Sequence, residues 1–295
     1  MKIVIADRME DEVVKAIGEL GETIVTPTDL KASLKDADAL IVRSATKVTE
    51  ELLTYAPSLK VVARAGVGLD NVDKAACEKR KIKVINTPGA SSNSVAELAL
   101  GMMFSLCRRL PYADATMKAK KWAKKELTGT ELLDKTVGIV GFGRIGALLA
   151  LKCQALGMKV LYTDSHTQTS AIGQKIGIEE IFSSSDFISL HVPLTPKTEK
   201  MVNAAVLSRM KPGAFIINTA RGGLIDEDAL YDALKEKKIA GAALDVYPAE
   251  PYAGKLCELD NVVLTPHIAG STSEAQGRIG QELVEKLQAE MGKSQ

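Results

Sequence analysis

The chain has few of the residues that build disulfide-rich or zinc-stabilised proteins. Its 295 residues include four cysteines and three histidines. The cysteines, at positions 77, 107, 153 and 257, form no Cys-x-x-Cys pair and have no histidine at ligand spacing. This pattern excludes a disulfide framework and a structural zinc site, and it predicts reduced thiols and no bound metal.

Net charge and long apolar runs are also missing. Lys and Arg total 38 against 37 acidic residues, a formal charge of +1, so no global field favours nucleic acid or an anionic membrane. The most apolar stretch, 95–106, is interrupted by Glu97 and is too short to span a bilayer. The N-terminus, Met1 to Asp7, reads as a first strand rather than a signal peptide, so we expect a cytoplasmic protein.

Short runs of Val, Ile and Leu alternate with amphipathic helical stretches along the whole chain. Such runs are typical of parallel strands buried on both faces, which predicts an α/β fold. The predicted strands are Lys2–Ala6, Thr23–Val25, Ala39–Val42, Val61–Ala65, Lys83–Asn86, Val137–Val140, Lys159–Tyr162, Phe187–His191, Ala214–Asn218, Ala242–Asp245 and Val262–Leu264.

Two long helices divide the chain. Ser94 with Glu97, and Ser271 with Glu274, have the spacing of capping boxes and predict helices over 95–106 and about 275–291. The simplest organisation is one domain, 98–270, inserted into another, 1–97, to which 271–295 returns.

A glycine-rich turn predicts a dinucleotide site. The strand at 136–140 runs directly into Gly141-Phe-Gly143-Arg-Ile-Gly146, and an apolar helical pattern follows. These glycines suit a tight turn, close approach to a pyrophosphate, and packing of helix on strand. Asp164 ends the next strand, where it would accept hydrogen bonds from ribose hydroxyls and repel a 2′-phosphate, so NAD is favoured over NADP. The alternative is a glycine-rich turn that binds nothing.

Three polar residues near strand ends suit the reduction of a 2-keto acid. Arg221 could hold the substrate carboxylate through its planar fork. His267 could exchange the proton, and Glu250 could orient the imidazole and favour its protonated form. Each has a simpler interpretation, since a lone loop histidine is often incidental, as we expect for His166 and His191, and Glu250 could be a solvated carboxylate.

Together these segments resemble the D-2-hydroxyacid dehydrogenase family. The resemblance rests on the turn at 141–146, Thr219-Ala-Arg-Gly-Gly, Glu250 between prolines, and Pro266-His267, and it covers nearly the whole chain. It implies an NAD-binding Rossmann domain inserted into a flavodoxin-like substrate domain, both doubly wound parallel sheets, usually assembled as a homodimer. It also implies a small anionic 2-hydroxy acid as substrate, with Arg221, Glu250 and His267 as the catalytic set.

The resemblance further assigns binding residues. Substrate contacts are expected from Arg43, Arg64, Gly66 and Gly68. Cofactor contacts are expected from Val67, Gly141, Gly143, Arg144, Ile145, Gly146, Asp164, Val192, Pro193, Thr198, Thr219, Ala220, Asp245, Ala269 and Gly270.

The loops at 43–47 and 64–71, with 117–122 and 129–132, resemble a branch of the family whose substrate carries a phosphate. Arg43 and Lys47 could meet that phosphate, although Lys47 could equally be a solvated surface residue. Val67 and Val192 replace hydroxyl residues of some relatives, and Ala45 replaces a second arginine. Many members of that branch carry regulatory domains after the catalytic core, and we expect none here. The rival interpretations are another hydroxy-acid dehydrogenase and a non-catalytic NAD-sensing corepressor.

Overall fold

The computed structural model describes residues 1–291. Contacts divide the chain into two compact units, one formed by residues 1–91 with the segment from Gly270 onward, the other by residues 92–269. The predicted boundary between 97 and 98 stays a prediction; it lies inside the helix Ser92–Arg108, as it also did inside the predicted helix 95–106. Residues 292–295 of the predicted segment 271–295 lie outside the described residues.

Within residues 1–291 the structure has twelve strands. They are β1 (Lys2–Ile5), β2 (Glu22–Val25), β3 (Ala39–Val42), β4 (Val61–Arg64), β5 (Lys83–Asn86), β6 (Thr136–Val140), β7 (Lys159–Thr163), β8 (Gln174–Lys175), β9 (Phe187–Leu190), β10 (Phe215–Asn218), β11 (Gly241–Leu244) and β12 (Val262–Leu264). All eleven predicted strands are present, with ends shifted by no more than one residue. The short β8 was missed, because its two polar residues carry no apolar pattern.

Eleven α-helices occur in the same part of the chain. They are α1 (Asp11–Gly18), α2 (Leu30–Ser33), α3 (Glu50–Thr54), α4 (Lys74–Lys79), α5 (Ser92–Arg108), α6 (Leu110–Lys118), α7 (Arg144–Ala155), α8 (Ile178–Ser184), α9 (Ala204–Leu207), α10 (Glu227–Lys235) and α11 (Ser273–Met291). Even the longest, α11, is interspersed with charged residues, and none of the described helices qualifies as a bilayer-spanning segment.

The first unit is a five-stranded parallel sheet in the order β2-β1-β3-β4-β5. This is the flavodoxin-like doubly wound order. One face is covered by α1 and α11, whose Val13, Ile17, Ile279, Leu283 and Leu287 are buried against the sheet. The other face is covered by α3 and α4.

The second unit is a seven-stranded parallel sheet in the order β12-β11-β10-β9-β6-β7-β8. Counted from β6, the order is that of a Rossmann sheet with one added strand. Helices α5 and α7 cover one face, and α8, α9 and α10 cover the other. The predicted α/β class, with two doubly wound parallel sheets, is confirmed.

Both predicted capping boxes are wrong. Ser94 lies inside α5, where its buried hydroxyl donates to the carbonyl of Ala269 at 2.6 Å instead of capping the helix. At the start of α11 the capping side chain is Thr272, whose Oγ1 accepts from the Ala275 N–H at 3.2 Å, so the predicted cap at Ser271 is displaced by one residue. In α11 the neighbouring Thr272 thus satisfies one of the N–H groups that the predicted cap at Ser271 would have satisfied.

Candidate active site

The carboxyl edge of the seven-stranded sheet collects most of the predicted site residues. Gly141 follows β6, Arg221 comes after β10, Glu250 after β11 and His267 after β12. Because every strand is parallel, these loops emerge at one edge. The strand order reverses between β6 and β9, and doubly wound sheets bind ligands outside such a switch point.

The glycine turn has the geometry that a dinucleotide requires. Gly141 has φ 95°, and a Cβ there would come within 2.7 Å of the His191 backbone. A Cβ on Gly146 would overlap the carbonyl oxygen of Gly141. Helix α7 begins at Arg144 without a side-chain cap, so its first N–H groups remain available to a phosphate.

Asp164, directly after β7, forms a hydrogen bond to this turn. Its carboxylate accepts hydrogen bonds from the backbone N–H groups of Phe142 (2.8 Å), His166 (2.8 Å) and Thr167 (2.7 Å). Partial burial raises the pKa of this carboxyl, the three N–H groups lower it, and the net result is a pKa below its usual range. Two carboxylate oxygens have about four acceptor positions, so one remains for a ribose hydroxyl.

Two buried polar atoms near the switch point lack a hydrogen-bond partner within the described chain. They are Thr219 Oγ1, just after β10, and His191 Nδ1, just after β9. Buried polar groups are rarely left unsatisfied, so such atoms point to a ligand. With the uncapped α7 and the crowded glycines, they fit a bound dinucleotide. No cluster able to hold a metal ion occurs among residues 1–291.

His267 and Glu250 form a hydrogen-bonded pair. His267 Nδ1 lies 2.8 Å from Glu250 Oε2, and the two side chains are 47% and 38% exposed. A carboxylate on Nδ1 selects the tautomer whose proton is on that nitrogen and leaves Nε2 to exchange a proton. His267 also has φ 54°, a left-handed conformation that is uncommon outside glycine.

A buried aspartate supports the loop that carries His267. Asp245 accepts from Thr265 Oγ1 (2.5 Å), Ile268 N (2.8 Å) and Ala269 N (2.8 Å). Its side chain is completely buried. The described contacts of Asp245 therefore hold the loop, and its predicted contact with the cofactor stays a prediction.

The Arg221 loop is shaped by residues that sequence reasoning overlooked. Asn218, buried at the end of β10, accepts from Ala220 N (3.0 Å) and donates to Arg221 O (2.9 Å). A Cβ on Gly222 would overlap the backbone of Tyr247 and Pro248, which seats this loop against the one carrying Glu250. A buried asparagine at a strand end is a turn signal that could have identified Asn218.

The remaining predicted cofactor residues fall in two places. Val192, Pro193 and Thr198 share the exposed loop after β9, where Thr198 Oγ1 donates to Pro193 O at 2.7 Å. Val67 and Gly270 belong to the first unit. Their contacts with a cofactor stay predictions.

In the first unit, the loop after β3 is tightly held. Asp7 accepts from Arg43 N (2.5 Å), Thr46 N (3.2 Å) and Thr46 Oγ1 (2.6 Å), and Asn71 donates to the carbonyls of Arg43 (2.8 Å) and Thr46 (2.6 Å). The Arg43 guanidinium also donates to Gln276 Oε1 at 2.7 Å and to a main-chain carbonyl. Two of its five N–H donors are thus used within the protein.

The loop after β4 holds the other predicted substrate residues. Gly66 has φ 142°, and the Arg64 guanidinium occupies the place where a Cβ would be. Asn86 donates to the carbonyl of Val67 at 2.6 Å, which fixes the loop beside Gly68. Roles for Arg64, Gly66 and Gly68 in substrate binding stay predictions.

Comparison with known proteins identifies the class. The sequence profile described as D-isomer specific 2-hydroxyacid dehydrogenase, NAD binding domain, matches residues 100–269, more than half of the chain. The chain therefore belongs to the D-2-hydroxyacid dehydrogenase family, and the second unit is its NAD-binding domain.

Relatives within the family differ in their named activities. A hydroxypyruvate reductase from Thermotoga maritima is 48% identical over 90% of this chain and 88% of its own length. A D-3-phosphoglycerate dehydrogenase from Methanocaldococcus jannaschii is 44% identical over 97% of this chain, which spans 57% of that relative. The structure of a D-lactate dehydrogenase from Aquifex aeolicus, complexed with NAD and lactic acid, superposes with a TM-score of 0.88 at 34% identity, covering 98% of this chain and 95% of its own.

Proposed function

We propose that this protein catalyses the NAD-dependent oxidation of D-3-phosphoglycerate to 3-phosphohydroxypyruvate, the first step of serine synthesis, using His267, Glu250 and Arg221. The observation that carries the catalytic part is the 2.8 Å contact between His267 Nδ1 and Glu250 Oε2. It occurs at the same sheet edge as the glycine turn of the NAD-binding domain.

In this mechanism, Arg221 binds the substrate carboxylate and turns C2 toward the cofactor. His267 Nε2 takes the proton of the C2 hydroxyl, and Glu250 stabilises the resulting imidazolium through Nδ1–H. Bound NAD supplies the acceptor for the hydride that leaves C2. In the reverse direction, His267 returns its proton to the developing alkoxide and Arg221 polarises the carbonyl.

The glycine turn and the start of α7 would hold the pyrophosphate of NAD, and Asp164 its adenosine ribose hydroxyls. This position for Asp164 disfavours the additional phosphate of NADP. Val67, Thr219, Asp245 and the loop after β9 would complete the cofactor site. We also propose a homodimer, which light scattering on the purified protein would test.

The phosphorylated substrate is supported by the identity to D-3-phosphoglycerate dehydrogenase over nearly the whole chain. Arg43 would contact the substrate phosphate. Arg64 and the backbone of Gly66 and Gly68 would contact the substrate carboxylate. The second candidate is reduction of hydroxypyruvate, favoured by the 48% identity and near-complete coverage of the Thermotoga maritima relative. The two uses of Arg43 within the protein also leave fewer donors for a phosphate.

One assay separates these candidates. Purified protein is supplied with NAD or NADH and with phosphoglycerate, phosphohydroxypyruvate, hydroxypyruvate, glyoxylate or D-lactate, and turnover is followed by NADH absorbance. We expect the highest kcat/KM with the phosphorylated pair, and Arg43→Gln to lower it only for that pair. A higher kcat/KM for hydroxypyruvate than for the phosphorylated pair would favour the second candidate function over the first. Turnover by His267→Ala equal to that of the parent would remove the mechanism, whereas NAD binding by the parent without turnover of any of these acids would favour an NAD-sensing role.

A further inference from the structure

Tyr247 lies where the loops of the three proposed catalytic residues meet. Its side chain is 8% exposed. Its hydroxyl is 3.0 Å from the carbonyl of Leu244, the last residue of β11, and 3.0 Å from that of Thr265, the first residue after β12. One hydroxyl hydrogen thus serves two carbonyls, one at the end of β11 and one directly after β12, and the loops after these strands carry Glu250 and His267.

The main chain of the same residue orients the carboxylate. The Tyr247 N–H donates to Glu250 Oε1 at 3.1 Å, while Oε2 of that carboxylate contacts His267 Nδ1. The aromatic ring stacks on Tyr252, with centroids 4.2 Å apart and an interplanar angle of 16°, which closes the loop around Glu250. Tyr247 therefore contacts one carboxylate oxygen through its main chain, and its hydroxyl contacts Thr265, two residues before the histidine that contacts the other oxygen.

The loop that carries Arg221 also packs against Tyr247. Gly222 packs so closely on the backbone of Tyr247 and Pro248 that no Cβ would fit there. A displacement of Tyr247 would be transmitted to the loop of the proposed carboxylate-binding arginine.

We propose that the Tyr247 hydroxyl is a positioning group for the Glu250–His267 pair, holding the ends of β11 and β12 at the separation that keeps the imidazole on the carboxylate. This inference rests on the proposed function for its catalytic meaning. Tyr247 acts through these two residues and is not itself a proton donor to substrate. Burial, with the nearby charges of Asp245 and Glu250, raises the pKa of Tyr247 to about 12, so the hydroxyl remains a donor at working pH.

The test compares Tyr247→Phe with Tyr252→Phe. Each variant removes one hydroxyl from the same stacked pair, but the Tyr252 hydroxyl contacts Glu227 Oε1 at 2.7 Å and neither of the two carbonyls. The main readout is the ¹⁵N spectrum of the His267 ring, which reports its tautomer. With three histidines in the chain, His166→Gln and His191→Gln assign the signals.

We expect the parent and Tyr252→Phe to show His267 with its proton on Nδ1, and Tyr247→Phe to show a mixture of tautomers. We also expect kcat to fall roughly tenfold in Tyr247→Phe, with the KM for NAD unchanged, because a small misplacement of a catalytic group is costly. Both phenylalanine variants should lower Tm, so a loss of stability does not by itself support the proposal.

Gly222→Ala provides a second route, because the added methyl group should displace Tyr247 with its hydroxyl intact and produce the same mixture. A single parent-like tautomer and parent kcat in Tyr247→Phe would overturn the proposal, as would the same changes in Tyr252→Phe. If the parent turns over none of the hydroxy acids, the proposed function fails, while the tautomer comparison still decides whether Tyr247 positions the pair.

Discussion

Replacing His191 with glutamine should flatten the dependence of stability on acid pH. His191 follows β9, and its Nε2 lies 2.9 Å from Ser189 Oγ. Burial lowers its pKa from 6.5 to about 4. The folded protein therefore resists protonation of this ring over a pH range in which the unfolded chain accepts the proton.

The sign and size of the change in the free energy of unfolding follow from this difference in the His191 pKa between the folded and unfolded states. Above the unfolded pKa of 6.5 the ring is neutral in both states, so its titration does not change the free energy of unfolding. As the pH falls from there toward about 4, only the unfolded state gains a proton, so the free energy of unfolding drops by about 1.4 kcal/mol per pH unit. Between roughly pH 7 and pH 4.5 the loss from His191 alone is about 2.5 kcal/mol.

Urea unfolding followed by circular dichroism would measure this loss at the two pH values for the parent and His191→Gln. The variant should lose about 2.5 kcal/mol less than the parent, whatever its stability at neutral pH. His166→Gln is the matched control, because it makes the same substitution at an exposed histidine. Equal losses in the parent and in His191→Gln would refute the reasoning.

Three further variants test other parts of the molecule. Glu250→Gln should lower kcat, since the imidazolium formed on His267 would lose the carboxylate that contacts its Nδ1; a kcat equal to the parent's would reject that role. Gly146→Ala should weaken NAD binding at least tenfold by calorimetry, because the methyl group would collide with the Gly141 carbonyl; parent affinity would contradict the proposed turn contact. Leu283→Ala should cost about 3 kcal/mol of unfolding free energy, since Leu283 is fully buried between α11 and the first sheet; a cost near zero would contradict that packing.

The fold could be predicted because its signals are local. Most of the parallel strands are short apolar runs that contain Val or Ile, and the strands Ala39–Val42, Lys83–Asn86 and Val262–Leu264 have the predicted bounds. The strand β8 has no such run and forms only through pairing with β7 at the sheet edge. Helix starts were less predictable, because Ser94 fits a capping box but uses its hydroxyl on Ala269, 175 residues away.

The candidate site was predictable to the level of residue type and strand end. Parallel strands bring loops such as those of Glu250 and His267 to one edge, so their pairing at 2.8 Å agrees with the order of the elements. The supporting residues were not predictable, because Asn218 and Tyr247 act through hydrogen bonds to main-chain groups. Such bonds depend on loop conformation, which the sequence pattern does not specify.

Three aspartates show why a polar residue at a strand end has two interpretations. Asp7 comes after β1 and holds the loop after β3, Asp164 comes after β7 and holds the turn after β6, and Asp245 comes after β11 and holds the loop after β12. Asp7 and Asp245 each accept three hydrogen bonds from the loop of the adjacent strand, whereas Asp164 accepts one from that loop and two from its own.

The spacing after the glycine turn assigned Asp164 to the ribose of the cofactor, and the family resemblance assigned Asp245 to the cofactor. A position directly after a parallel strand also lies beside the loop of the neighbouring strand, whose N–H groups need acceptors as much as a ligand does. A carboxylate that satisfies them fixes the loop before substrate arrives, which is the preorganisation that catalysis requires. Replacing such an aspartate therefore changes ligand binding even where no atom of the side chain touches the ligand.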